Sequence, residues 1–307
     1  MTEPGSLLEP NAPLRELISL LDLEELDVNL FRGRNEHGGW GRLFGGQVAA
    51  QALVAAGRTV EGRLTHSLHA YFLRPGDPDV PVIYTVDPIR DGTSFTTRRT
   101  VALQRGRAIF NMSVSFHKPE DGFEHQNDMP DAPDPESLPT WQERFASLDS
   151  QVPEEMREWM QRERAIDLRS TRPMSMMGGD ADSDPGPNLV WFRTNGTLPE
   201  DPRLHQCLIT YASDMSLLDN AVRRHGRGWP EPNVMTASLD HAVWFHRTSR
   251  ADEWLLYAQD SPAASGARGF ARGTIFSREG RLVASVAQEG LMRPVNSPRK
   301  GSAGKTP

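Results

Sequence analysis

The sequence is short of several things at once. It holds one cysteine, Cys207, in 307 residues, so no disulfide can close within the chain, and a reducing compartment is expected. No stretch reaches the roughly 18 consecutive apolar residues of a membrane-crossing helix. Positive charge is not in excess. The 34 Lys and Arg stand against 41 Asp and Glu, a formal net charge of −7, the wrong sign for a nucleic-acid-binding surface. Residues 1–10 lack a basic start followed by an apolar run, so no signal peptide is read there, and the final residues are not the S-K-L peroxisomal address. The expectation is a cytoplasmic protein with no membrane or nucleic-acid partner.

Familiar catalytic motifs are missing too. There is no G-x-S-x-G, which argues against a nucleophile-elbow hydrolase. Phosphate-cradling G-x-x-x-x-G-K-[ST], a strand-linked G-x-G-x-x-G and the zinc motif H-E-x-x-H are absent. The nine histidines have no metal-ligand spacing. No metal and no cofactor are expected.

What is present describes an ordinary globular chain, 37% hydrophobic and 24% charged. At roughly 150 residues per domain, its length suggests two. Residues 1–13 and 295–307 read as flexible ends. Residues 14–26 repeat apolar side chains at helical spacing (Leu14, Leu17, Ile18, Leu21). Residues 44–60, FGGQVAAQALVAAGRTV, predict an Ala-rich helix buried on most sides, with Gly45 and Gly46 allowing close approach at its start. Strands are predicted over 67–73, 80–89, 95–103 and 108–117, the last two joined by a turn at Arg105-Gly106.

Residues 119–139 contain five prolines and no apolar period, so 121–160 is read as a Pro-rich linker and a helix (141–164). Short strands follow over 165–169 and 189–194, then a long helix over 204–223 and strands over 235–247 and 282–291. The second half replays the first: SLHAYFLR (67–74) is echoed by SLDHAVWFHR (238–247), and Gly106-Arg107 by Gly280-Arg281. A repeat longer than 100 residues means domain duplication. Two α+β domains, 14–120 and 161–294, are therefore expected, each an antiparallel sheet around one buried helix.

Polar residues that interrupt apolar elements are the candidates for chemistry. Asp214 lies in the helix context YASDMSLLDNAV, Gln288 in the strand VASVAQEG, and Ser238 in the strand 235–247. Each also has a bland reading: Asp214 as a solvent-facing helix residue, the other two as satisfied hydrogen-bonding groups. The first half carries Gln47 near its helix start and Val114-Ser115 in its last strand. The fold thus does not need this carboxylate and amide twice, and the asymmetry suggests one working site in the second domain. Other features read as structural. Cys207 in an apolar helix is a core residue. Asp240 and His241, as strand neighbours, face opposite ways, as do His241 and His246. Trp244-Phe245 reads as core. Arg32, Arg34 and Arg42 are a candidate anion cluster or simply a solvated loop.

The motifs LFRGRNE, FGGQVAAQAL, HSLHAYFLRPGDP, RDGTSF, FEHQ, HQCLITYASD, SLDHAVWFHR, EWLLYAQDSPAASGARGFARG and VASVAQEGLMR, in this order from about Leu14 to Arg293, resemble the acyl-CoA thioesterase II family of double-hotdog proteins. The resemblance implies two tandem hotdog domains and hydrolysis of fatty acyl-CoA. It also implies a water-holding set: a carboxylate in the helix motif ending S-D (Asp214), a glutamine in Q-E-G (Gln288) and a hydroxyl two places before D-H (Ser238). The family has threonine or serine at the last position. Serine keeps the donor and acceptor but lacks the methyl that restricts χ1.

On this reading Asp214 is the base, its pKa raised by burial, and Ser238 and Gln288 aim the water. The helix opened by Gly45-Gly46 is a candidate for stabilising the oxyanion. A homo-oligomer is expected by the same resemblance. The competing readings are a hotdog enoyl or hydroxyacyl thioester hydratase and a non-catalytic acyl-CoA binder. The first needs a histidine beside the carboxylate, and no histidine is read at a matching position.

Overall fold

The structure, a computed structural model, describes residues 8–36, 41–146, 161–173, 175, 186–225 and 234–294. The chain enters anchored. Asn11 N–H donates to the Asn195 carbonyl, Thr197 N–H to that of Leu8, and the Asn11 side chain caps helix α1 (Ala12–Leu21) by accepting from Leu14 N–H at 2.9 Å. The expected flexible start over 1–13 is therefore wrong from Leu8 onward; residues 1–7, like the tail 295–307, lie outside the described residues. The helix also stops earlier than its apolar spacing suggested. Asp22 leaves helical geometry (ψ 85°), and β1 (Glu24–Asp27) pairs with β2 (Leu30–Gly33) through a turn with Asn29 at φ 57°. Leu23 and Leu26 had prolonged the helical pattern by coincidence.

Helix α2 (Gly45–Arg58) is rich in alanine and almost wholly buried, because β2 and the strands β3 (Leu64–Phe72), β4 (Val82–Asp91), β5 (Phe95–Gln104) and β6 (Arg107–His117) all contact it. The 119–139 segment is not a loose tether. It runs over the second half, where Trp191 Nε1–H donates to the Pro133 carbonyl, Trp254 Nε1–H to Glu136, and Gln126 to the Gly280 carbonyl. A single 3-10 turn, Pro135–Ser137, precedes α3 (Trp141–Ala146); of the helix expected over 141–164, residues 147–160 lie outside the described residues.

The second half contains β7 (Ile166–Ser170), β8 (Asn188–Thr194), helix α4 (Pro202–Ser213), the short α5 (Asp219–Arg223), β9 (Val234–Ser238), β10 (Asp240–Phe245), β11 (Leu255–Ser265), β12 (Arg268–Ser277) and β13 (Leu282–Pro294). The expected long helix over 204–223 breaks at Asp214, which caps α4, before chain turns lead to α5. The strand expected over 235–247 breaks at Leu239, whose N–H still reaches the Glu289 carbonyl.

All the strands join one antiparallel sheet in the order β1-β2-β4-β5-β6-β3-β10-β13-β12-β11-β8-β7, with β9 also on β13. Read outward from the central β3–β10 seam, the two halves repeat: β3, β6, β5, β4, β2 on one side and β10, β13, β12, β11, β8 on the other. The helices α2 and α4 pack side by side and antiparallel. Gly46 approaches the Tyr211 carbonyl at one end, and Arg203 donates to the Gly57 carbonyl at the other. This is the tandem hotdog architecture, with the main core between the helix pair and the sheet.

The ladders also refine the internal alignment. Gly106-Arg107 and Gly280-Arg281 occupy equivalent turns. The register then matches Val114 with Gln288, Leu68 with His241 and Thr65 with Ser238, so the literal match of Ser67 to Ser238 is off by two residues.

Candidate active site

Asp214 sits where the C-terminus of α4 meets the N-terminus of α2. Its backbone is at φ −88°, ψ −7° and its side chain is 5% exposed. The sequence enforces this meeting through two missing side chains. A Cβ on Gly45 would lie 2.7 Å from Asp214 Oδ2 and 2.8 Å from the Phe72 ring, and one on Gly46 would lie 2.5 Å from the Tyr211 carbonyl oxygen. The first amides of a helix lack internal acceptors, and here the Gly46 amide favours the ionised form of the Asp214 carboxyl.

Gln288, at 0% exposure on β13, donates from Nε2 to Asp214 Oδ1 at 2.6 Å, and its Oε1 is buried without a partner among the described residues. Burial raises the Asp214 carboxyl to about 7, against the opposing pull of the Gln288 and Gly46 hydrogen bonds. Near neutral pH the group can both take and return a proton.

Ser238 ends β9 directly opposite Gly290. Residues opposite each other in a ladder share a face, and Gln288 lies two positions from Gly290, so Ser238 and Gln288 face the same side. The leucine that follows Asp214 by four, Leu218, packs over Gly290 on that side. Asp214 and Gln288 are thus in direct contact, while Ser238 is their half-buried neighbour across the ladder. The candidate arginines do not act as a group: Arg32 pairs with Glu24, Arg34 donates to Ser19, and Arg42 reaches the Thr236 carbonyl, two residues from Ser238.

Sequence reasoning missed His241. It separates correctly from Asp240, which faces outward and accepts the Glu289 N–H, and from His246, which bonds Ser285 on the outer face. The sequence places no matching histidine beside the carboxylate, but the structure does: His241 Nδ1 lies 4.0 Å from Asp214 Oδ1. Burial pushes this imidazole down to about 4, so it is neutral and the contact is not an ion pair. A signal existed. Val243 and Phe245 alternate inward with His241, which placed a polar ring on the core face. Of Trp244-Phe245 only Phe245 is core; Trp244 packs edge-on to His69. Cys207 is a packed core thiol, pushed up to about 12 by burial. Among the described residues no cluster of His, Cys, Asp and Glu is arranged to hold a metal, and no helix is long and apolar enough to cross a membrane.

Comparison with known proteins bears on the family and the fold. Residues 160–291 match the family model described as acyl-CoA thioesterase, and residues 35–117 match acyl-CoA thioesterase N-terminal domain. The chain is 40% identical over 281 residues to acyl-CoA thioesterase 2 of Haemophilus influenzae, covering 91% of this chain and 98% of that one. It is 37% identical over 300 residues to human acyl-coenzyme A thioesterase 8, covering 94% and 93%. Among solved structures, the acyl-CoA thioesterase II TesB2 of Mycobacterium marinum superposes with a TM-score of 0.75 at 41% identity, covering 93% of this chain and all (100%) of that one. A hot dog fold protein from Alicyclobacillus acidocaldarius, at 20% identity and TM-score 0.70 over 92% of this chain and 98% of that one, shares the fold. The chain belongs to the acyl-CoA thioesterase II family.

Proposed function

We infer that this thioesterase hydrolyses fatty acyl-CoA with a single water activated by Asp214 and positioned by Ser238 and Gln288. The observation that carries the reading is the buried Gln288–Asp214 hydrogen bond at 2.6 Å, beside an amide oxygen with no partner among the described residues. A buried acceptor left open is costly unless a donor meets it, so this pair marks a place where water is ordered beside the carboxylate. Asp214 takes one water proton as the oxygen bonds to the thioester carbon. Gln288 fixes the carboxylate's orientation, and Ser238 donates to the water so that its remaining lone pair faces the carbonyl. The positive end of the α2 dipole favours the negative charge that develops on the carbonyl oxygen. When the C–S bond breaks, Asp214 returns its proton to the thiolate, and free acid and coenzyme A leave.

The side chains around the pair suit an apolar acyl chain. Phe44 packs edge-on against Tyr211 at 5.0 Å, with Phe72, Met215 and Leu218 nearby. A homo-oligomer in the cytoplasm belongs to the same proposal, and light scattering in solution checks the assembly; the exposed Tyr71, Leu73 and Phe95 supply apolar surface for subunit contact.

The test is thiol release from a panel of acyl-CoAs by wild type and Asp214→Asn. Loss of at least about 100-fold in kcat is expected in the variant. Equal release by both proteins would leave the fold and family intact and remove Asp214 from the mechanism. No release by either at any chain length would reopen binding or hydration.

A further inference from the structure

His241 is fully buried, at 0% exposure, and its two ring nitrogens have unlike surroundings. Nε2 lies 2.8 Å from Ser213 Oγ, and the Ser213 hydroxyl spends its single proton on the Thr210 carbonyl at 2.9 Å. With that proton on the Thr210 carbonyl, Ser213 Oγ accepts and His241 carries its own proton on Nε2, the tautomer this arrangement assigns. Nδ1 is then a lone pair. It is buried, has no partner among the described residues, and lies 4.0 Å from Asp214 Oδ1. Two acceptors cannot bond each other at any distance, and a donor placed between them satisfies both. A water that donates both protons through bonds of about 2.8 Å spans roughly 4.5 Å between its acceptors. The observed gap is close to that span.

The duplicated half supplies an independent observation. At the positions equivalent to His241 and Gln288 it has Leu68 and Val114, paired in its own ladder. An aliphatic pair satisfies the fold there, so neither polar residue is demanded by packing.

We propose that His241 is a further catalytic residue, whose Nδ1 accepts the proton the attacking water keeps while Asp214 takes the other. The inference rests on the water-activation reading above. Held at both hydrogens, the water keeps its lone pairs on the opposite side, toward Ser238 and the thioester carbon. The neutral state that burial imposes on the imidazole keeps Nδ1 an acceptor.

The test compares His241→Leu, the residue the other half uses, with His241→Asn, whose side-chain oxygen can stand in for Nδ1. Asp214→Asn and the double variant His241→Leu/Asp214→Asn complete the set. His241→Leu is expected to lose on the order of 100-fold in kcat with KM and melting temperature little changed. His241→Asn should recover most of that loss, and the double variant should be no slower than Asp214→Asn alone. Activity of His241→Leu within about threefold of wild type, with Asp214→Asn inactive, would overturn this inference and leave the Asp214 reading standing. Asp214→Asn as active as wild type would overturn both. If the leucine variant fails to fold, histidine nitrogen NMR of the intact wild type decides: the Nε2-protonated neutral ring is expected, and an Nδ1-protonated ring would overturn the proposal.

Discussion

The antiparallel pair α2 and α4 has two ends built from equivalent elements, and they have been put to opposite uses. At one end the α4 cap is Asp214, the facing strand residues are His241 and Gln288, and Ala271 lies beside Gln288 on β12. At the other end the α2 cap is Thr59, the facing residues are Leu68 and Val114, and Arg98 stands on β5 where Ala271 stands on β12. Arg98 is buried and donates to the Thr59 hydroxyl at 2.9 Å and to Asp91. Arg203, from the start of α4, donates to the carbonyls of Gly57, Val60 and Arg63. One end therefore leaves acceptors open around a carboxylate. The other closes its helix terminus with two guanidinium groups, a cation at a helix C-terminus being the favourable sign. The hydroxyl is common to both ends, as Thr65 and Ser238. A helix-cap carboxylate faced by a strand amide and a strand imidazole stands at one end only, which identifies these three as the part duplication of the fold did not require.

The sharpest way to break this comparison is at the glycines. Gly45→Ala drives a methyl to 2.7 Å from Asp214 Oδ2, and kcat for acyl-CoA hydrolysis should fall on the order of 100-fold. The next effect is in pH. Asp214 must be ionised to act as base, and burial lifts it to about 7. Log kcat should therefore rise with unit slope below about pH 7 and level above it, and Asp214→Asn should remove that limb. The linked stability runs the other way. A carboxyl raised on folding favours the folded state where it is protonated, and that contribution is lost as pH climbs through about 7. Asp214→Asn should consequently melt higher than wild type at pH 8, a gain that vanishes at acid pH.

At the closed end, Arg203→Met strips donors from three carbonyls. It should cost about 1–3 kcal/mol in denaturant unfolding while kcat stays within about twofold. The smallest effect is Gly57→Ala. A Cβ there meets nothing within 4 Å, so the substitution should stabilise by about 0.5–1 kcal/mol through helix propensity, with activity unchanged.

Much of this was legible in the sequence, for identifiable reasons. The strands from 64 to 117 and the repeat show in alternation and turn residues, and buried α2 shows in its alanines. The polar Asp214 and Gln288 stood out because their apolar surroundings made them expensive. The break in the helix at Asp214 did not show, because Met215, Leu217 and Leu218 keep an apolar rhythm through the turn. The partnership of His241 did not show either. Local pattern gave its face but not its neighbour, and the neighbour lies 27 positions back in the chain, on a different element. The docked linker was hidden because prolines and acids that read as loop chemistry make their contacts through backbone carbonyls and a carboxylate to two tryptophans of the other half.

The seam between β3 and β10 also sets an order of events on the ribosome. One edge of β3 is covered by β6 soon after synthesis, but the other waits for Asp240–Phe245, more than 160 residues later. At 5–20 residues per second that is on the order of ten to thirty seconds during which the first half presents an open, hydrogen-bonding edge. Nascent chains stalled between the two halves should therefore be the species that recruits chaperones or aggregates, and release of the second half should quench that hazard in one step.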